Sequence, residues 1–315
     1  MDPNQQLYFD ILSRIPVERI HDHPNILVAA GFWEEERFQA ARTCYAYMRK
    51  IDDTVDNYKA RHKRIDEKDR GEFMKKVEDW LLIIRANRRT YPFQKELIST
   101  IDRYRIPLWT IENFARSMVY DINHDGFPTL RSFLEYCEGA TVAPSSIFVH
   151  LCGIRKTDGS WQDPAFNVKE ASTPCAIFSY LVHIIRDFQK DQLSNLNYFA
   201  DDRITANDLT QPSLNQIARG AAITSGFRNL MKEYYLLADD YRKQTWQVLE
   251  RIAPLIEPRY HLSLLIIFNL YLLVFERIDI GKGGFTAAEL NPSPREIYGR
   301  VYRTITEFQP HSANY

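Results

Sequence analysis

Two short stretches carry paired aspartates at helical spacing. In CYAYMRKIDDTVD, residues 44–56, Asp52 and Asp56 stand four apart. In SYLVHIIRDFQKDQ, residues 179–192, Asp187 and Asp191 repeat the spacing, with Asp187 135 positions after Asp52. Positions three and four apart share a helix face. Tyr45, Arg49, Asp52 and Asp56 therefore form one stripe with Asp53 beside it, opposite Ala46, Met48, Ile51 and Val55. Tyr180, His183, Asp187 and Asp191 form a second stripe, with Arg186 adjacent and Leu181, Ile184, Ile185 and Phe188 on the apolar side. Like charges one turn apart repel and weaken a helix, so something must offset that cost. Mg²⁺ does so, because it takes carboxylate oxygens together with substrate phosphates.

One D-x-x-x-D marks no more than a solvated helix face. Two of them, each beside an arginine and inside apolar helix, point to facing walls of one cavity. Mg²⁺ would bridge the aspartates to a diphosphate, and Arg49 and Arg186 would add bidentate donors to phosphate oxygens. A neutralised diphosphate is a leaving group, and its departure leaves an allylic cation. Apolar and aromatic walls would hold the hydrocarbon and exclude water. The chain has 18 Tyr, 18 Phe and 5 Trp for such walls, although most must serve the core. Replacing any of the four aspartates should lower turnover and leave the unfolding midpoint little changed, since repulsion is relieved.

The elements that must position these residues read as helices. Apolar periodicity is helical over 38–56, 73–85, 94–104, 111–120, 130–153, 174–192, 214–253 and 261–278. The stretch 214–253 is long enough to suggest a break near Gly226. No run of strict alternation reaches hairpin quality. Loops are marked at 123–128, 157–164, 194–197 and the Gly-rich 281–284. The mixed-charge stretch 59–76 reads as a solvated connection leading into a surface helix. With 12 Gly and 15 Pro in 315 residues, turn formers are scarce, which favours long helices over many short strands. No repeat and no linker divides the chain. The reading is an all-α fold, a single helical domain over 1–315 with 1–22 and 306–315 peripheral.

Hydrophobic residues at 45% and charged residues at 26% exclude disorder. A net charge of -1 leaves no basic footprint for nucleic acid. Cys44, Cys137, Cys152 and Cys175 form no C-x-x-C pair and read as buried, reduced thiols of a cytoplasmic protein. Residues 1–10 are polar and lack the apolar region of a signal peptide. The apolar stretch 261–278 is interrupted by Asn269 and falls short of a span, so it reads as a core helix. Any membrane contact should be peripheral. No sequence feature sets an oligomeric state.

At these motifs the chain resembles the squalene/phytoene synthase family. YAYMRKIDDTVD is similar to that family's first aspartate-rich motif, and IIRDFQKDQ followed by NYFADD to its second. DINHDGFPTLRSFLEYCEGATVA resembles the region around a Tyr-Cys pair, here Tyr136–Cys137, and LYLLVFERIDIGKGG the last helix and its turn. The similarity runs from about residue 23 to 305. It implies an all-α class I isoprenoid synthase fold and Mg²⁺-dependent use of prenyl diphosphates of the farnesyl or geranylgeranyl class, joined head to head to a squalene-, hydroxysqualene- or phytoene-like product. Carried over by position, Asp52, Asp56, Asp187 and Asp191 match the metal-diphosphate residues. Arg49 and Arg186 match the flanking arginines, and Asp53 and Tyr136 match cavity positions.

The chain departs from the family pattern at several places. Tyr180 and His183 stand where members usually carry Gln and Asn, and Asn195–Leu196 stands where Gly-Arg is usual. His183 is then a metal ligand, a base, or a histidine hydrogen-bonded to a neighbouring carboxylate. The N-terminal segment HPNILVAAGF is closer to hydroxysqualene synthases, whose reaction needs no reductant. NADPH is thus the less expected cofactor; the absence of GxGxxG adds little, since the family binds NADPH without it. One alternative is a terpene-synthase-like or phosphatase-like enzyme acting on a single prenyl diphosphate. Another is a non-catalytic binding subunit.

Overall fold

Helix-capping chemistry sets the boundaries of the elements. The computed structural model describes residues 3–15, 25–62 and 64–310. Its first helices are α1 (Pro3–Ser13), α2 (Asn25–Ala30) and α3 (Glu35–His62). The 28-residue α3 has Glu35 and Glu36 in its first turn and Lys59, Arg61 and His62 in its last, which suits the helix dipole at both ends. Then come α4 (Glu67–Arg85), α5 (Pro92–Tyr104) and α6 (Leu108–Asn123). The side chain of Thr129 accepts from the Ser132 N–H and starts α7 (Leu130–Cys137). A π-turn over Glu138–Val142 joins α7 to α8 (Ala143–Gly153). The predicted helix over 130–153 is therefore one course with a widened turn in it.

Strands β1 (Arg155–Thr157) and β2 (Ser160–Gln162) form a hairpin inside a stretch expected to be a loop. Asp158 and Gly159 make its two-residue turn with φ of 50° and 80°. An Asp-Gly pair is suited to that left-handed turn, and three-residue strands are too short to show alternation.

The Asn167 side chain accepts from the Glu170 N–H, so α9 (Val168–Arg186) begins six residues before the predicted start at Pro174. At Asp187 the backbone turns to φ −92° and ψ 4°, and α10 (Phe188–Leu193) follows. Asp187 N–H still donates to the His183 carbonyl at 2.8 Å, and Asp191 N–H to that of Asp187 at 2.8 Å, so the course bends without breaking. After α11 (Asp201–Ala206) come α12 (Gln211–Ala218) and α13 (Ser225–Ile252). The break lies over residues 219–224, where Gly220 has φ of 100°, and not at Gly226, which sits in the first turn of α13.

The last helices are α14 (Pro258–Phe275), α15 (Ala287–Leu290) and α16 (Pro294–Glu307). Helix α14 has 18 residues, as many as the expected helix over 261–278, but begins and ends three residues earlier. By length and composition it suffices to cross a membrane, yet 56% of it is buried, packed against α2, α8, α9, α13 and α16. The ends are less peripheral than expected. Tyr8 and Leu12 on α1 are buried, and Tyr8 lies edge-on to Phe32 and Phe308 at 6.5 and 6.4 Å. The remaining terminal residues of that expectation, 1–2, 16–22 and 311–315, lie outside the described residues.

Candidate active site

Helices α3, α8, α9, α13 and α14 surround a cavity of about 730 Å³. Its walls include Met48, Phe114, Ile147, Phe148, Leu249 and Leu264. A chamber of this size and apolarity suits a hydrocarbon ligand. From α3 the wall takes Tyr45, Arg49 and Asp52; from α9 it takes Cys175, Ser179, His183 and Arg186, and from α10 Lys190. Of the predicted stripe on the second motif, only His183 lines this chamber. Ser179, His183, Arg186 and Lys190 share the cavity side.

Asp56 is one turn beyond Asp52, on a narrow cleft of about 20 Å³ shared with Lys59, Asp121 and Tyr198. Three of these residues were not singled out from the sequence. Lys59 was read as part of a solvated connection, yet it is 7% exposed, and its ammonium donates to the carbonyls of Asp121 and His124, both at 2.8 Å. Asp121, on α6, accepts a hydrogen bond from the Tyr136 hydroxyl at 2.8 Å. Tyr180 stacks on Phe133 at 5.9 Å, and Tyr136 and Tyr198 lie within 6.5 and 6.0 Å of it. One signal was available for Asp121: it opens the quoted DINHDG segment. Nothing in sequence spacing links it to Asp56.

The carboxylates fall into two electrostatic classes. Asp52 is pushed up to about 7 by burial and by Asp56, against the pull of Arg49. Asp56 rises to about 6 through burial and the charge of Asp121. Asp121 rises to about 7 by burial, against the pull of Lys59 and Tyr136. Burial, then Asp187, and across the site Asp56, raise Asp191 to about 7. Asp52 of the first motif and His183 and Arg186 of the second line the same chamber, so the two motifs face one another. Asp187 behaves in the opposite way. Burial raises it, but the hydrogen bonds of His183 and Arg186 outweigh that and hold it well below the usual carboxylate range. His183 Nε2 is 2.7 Å from Oδ2, and Arg186 Nε and a terminal nitrogen donate to Oδ1 and Oδ2 at 2.7 and 3.0 Å. Of the three readings of His183, the hydrogen bond to a neighbouring carboxylate is what the structure holds. Arg49 is likewise paired with Asp52 and Asp53. Both arginines expected on phosphate are thus engaged with carboxylates.

Among the described residues, no group of three or more His, Cys, Asp or Glu side chains forms a ready metal cage. The donor chemistry nevertheless fits Mg²⁺. Asp52, Asp56 and Asp191 are hard oxygen donors crowded by burial and like charge, and Mg²⁺ ordinarily takes one or two carboxylates while its remaining ligands are water and phosphate. The four cysteines are free thiols; Cys44, Cys137 and Cys152 are buried and Cys175 is half-buried on the cavity wall.

Comparison with known proteins agrees with this architecture. A dehydrosqualene synthase solved in complex with a ligand superposes with a TM-score of 0.67 at 13% identity, covering 96% of this chain and 98% of that one. The squalene synthase HpnC from Alicyclobacillus acidocaldarius superposes with a TM-score of 0.62 at 16% identity, covering 95% and 97%. At such identity these likenesses show the all-α fold. No curated protein matches the sequence. The squalene/phytoene synthase family pattern matches residues 21–291. The chain belongs to the squalene/phytoene synthase family of prenyl-transferring enzymes.

Proposed function

We propose that the chain ionises prenyl diphosphates of the farnesyl or geranylgeranyl class in a Mg²⁺-dependent reaction and joins two of them head to head. The observation that carries this is that Arg49 and Asp52 of the first motif and His183 and Arg186 of the second, far apart in sequence, line one large apolar chamber. Asp52, Asp56 and Asp191 would hold Mg²⁺, with Asp187 joining once its partners let go. The ion supplies the charge that neutralises a departing diphosphate. Arg49 and Arg186 exchange their carboxylate partners for phosphate oxygens. Tyr45 stands on the chamber wall beside Arg49 and Asp52, where its ring would stabilise the forming allylic cation. The apolar wall keeps water from that cation. Tyr136, bonded to Asp121, and Tyr180, packed on Tyr136, lie outside the chamber lining.

The test is incubation of the full chain with farnesyl diphosphate and Mg²⁺, following released diphosphate and hydrocarbon product. EDTA should abolish turnover, and Asp52→Ala with Asp187→Ala should lower it by about 10² or more. Near-parental turnover in that double variant would sink the two-wall reading. A second reading, action on one prenyl diphosphate alone, is favoured by the narrowness of the Asp56–Asp121 cleft beside the large chamber. The same assay separates the two, because coupling doubles the carbon count of the product and the alternative does not.

A further inference from the structure

The wall of the large chamber carries several charged side chains. Three residues on its wall carry full positive charges, Arg49, Arg186 and Lys190, against one negative charge, Asp52. Two of the cations are already satisfied. Arg49 is paired with Asp52 and Asp53, and Arg186 with Asp187. Lys190 differs from both. Its side chain is exposed and lines the chamber, and among the described residues it makes no hydrogen bond or ion pair. It lies one turn beyond Arg186, on the face that Ser179, His183 and Arg186 also turn to the chamber. Its ammonium feels the charge of its neighbour Asp191 but is bonded to no carboxylate, so it can take an anion at the chamber wall, and a lysine takes phosphate oxygens as a flexible point charge.

We infer that Lys190 is a direct, metal-independent ligand for the diphosphate group of the molecule that occupies the chamber. The inference rests on the prenyl diphosphate reading for the identity of that molecule, but not for the anion site itself. The same diphosphate chemistry is offered by a prenyl diphosphate entering the site and by inorganic diphosphate leaving it.

The test is calorimetric titration of the full chain with inorganic diphosphate in EDTA. The parent should bind, and Lys190→Gln should weaken binding about tenfold, the effect of losing one charge-assisted hydrogen bond. Lys190→Arg should retain binding, and Lys282→Gln, on an exposed loop away from the chamber, should match the parent. A Lys190→Gln chain that binds diphosphate like the parent overturns the inference, as does a parent that binds none without metal. A rise in KM for farnesyl diphosphate in Lys190→Gln with Mg²⁺ present assigns the site to substrate. A weaker inhibition by inorganic diphosphate at unchanged KM assigns it to product; both outcomes support the site. A parent that binds diphosphate in EDTA through Lys190 but never turns over farnesyl diphosphate with Mg²⁺ would defeat the functional reading and leave this one standing.

Discussion

Asp187 and Asp191 stand four residues apart, yet their surroundings give them opposite effects on stability. Asp191 has its pKa at about 7 in the folded chain, against about 3.9 in an unfolded one. Between those values the folded state binds more protons, so this group's contribution to stability falls as pH rises from about 4 to about 7. Asp191→Asn should therefore raise the melting temperature at pH 7.5 and change it little at pH 4. Thermal melts in EDTA at the two pH values check this; an equal shift at both would refute it. Asp187 is held low by His183 and Arg186, so its stabilisation is present above its unfolded pKa and is lost as pH falls. Asp187→Ala leaves the Arg186 guanidinium, whose side chain is 20% exposed, without its carboxylate. It should cost about 2 kcal/mol at pH 7. At this residue the structure therefore leads to a different expectation from that for the other three aspartates, because His183 and Arg186 both bond its carboxylate.

At the scale of elements, the site depends on how closely α6 approaches the chain between α7 and α8. That approach passes over the π-turn at Glu138–Val142. A Cβ on Gly139 would collide with the Asn113 carbonyl oxygen of α6 and crowd the Ser117 side chain. The same contact serves both compartments: Asp121 rides on α6, while Ala140 and Thr141 of the π-turn line the chamber. Gly139→Ala should push the two elements apart and cost on the order of 1–3 kcal/mol, as overpacking does in a dense interior. Chemical denaturation measures that cost. Unchanged stability would mean that α6 moves freely and does not fix Asp121. On the other wall the helical course continues through Asp187, so Lys190 shares the chamber face with His183 and Arg186 while Asp187 keeps its three side-chain contacts.

For the whole molecule, the question is what becomes of α14, whose length and composition suffice for a bilayer. In this fold its apolar surface is satisfied by five other helices, and Leu264, Ile267, Leu270, Tyr271 and Val274 also line the chamber. Moving α14 into lipid would strip those partners of cover and open the cavity, which hydrophobic burial opposes. A chain recovered with membranes should accordingly be released by alkaline carbonate or high salt. Retention of the intact chain in the pellet after both washes would show that α14 leaves the bundle.

The sequence by itself determined the helical class, the two acidic motifs and the family to which they belong, because helical periodicity and i,i+4 spacing are local properties of the chain. It also marked Asp52, Asp56, Arg49, Arg186 and His183 as residues of one site. It misplaced the start of α9 and the break before α13, where a side-chain cap at Asn167 and a positive φ at Gly220 outweighed the apolar pattern. Only the tertiary structure decided which carboxylates meet. Asp121 reaches Asp56 through the packing of α6 on α3, and Lys59 leaves solvent to bond the end of α6. Only the tertiary structure separated the chamber from the cleft. Such pairings depend on distances between elements remote in sequence and on burial that raises or lowers a charge, and neither quantity is written in the spacing of residues along one helix.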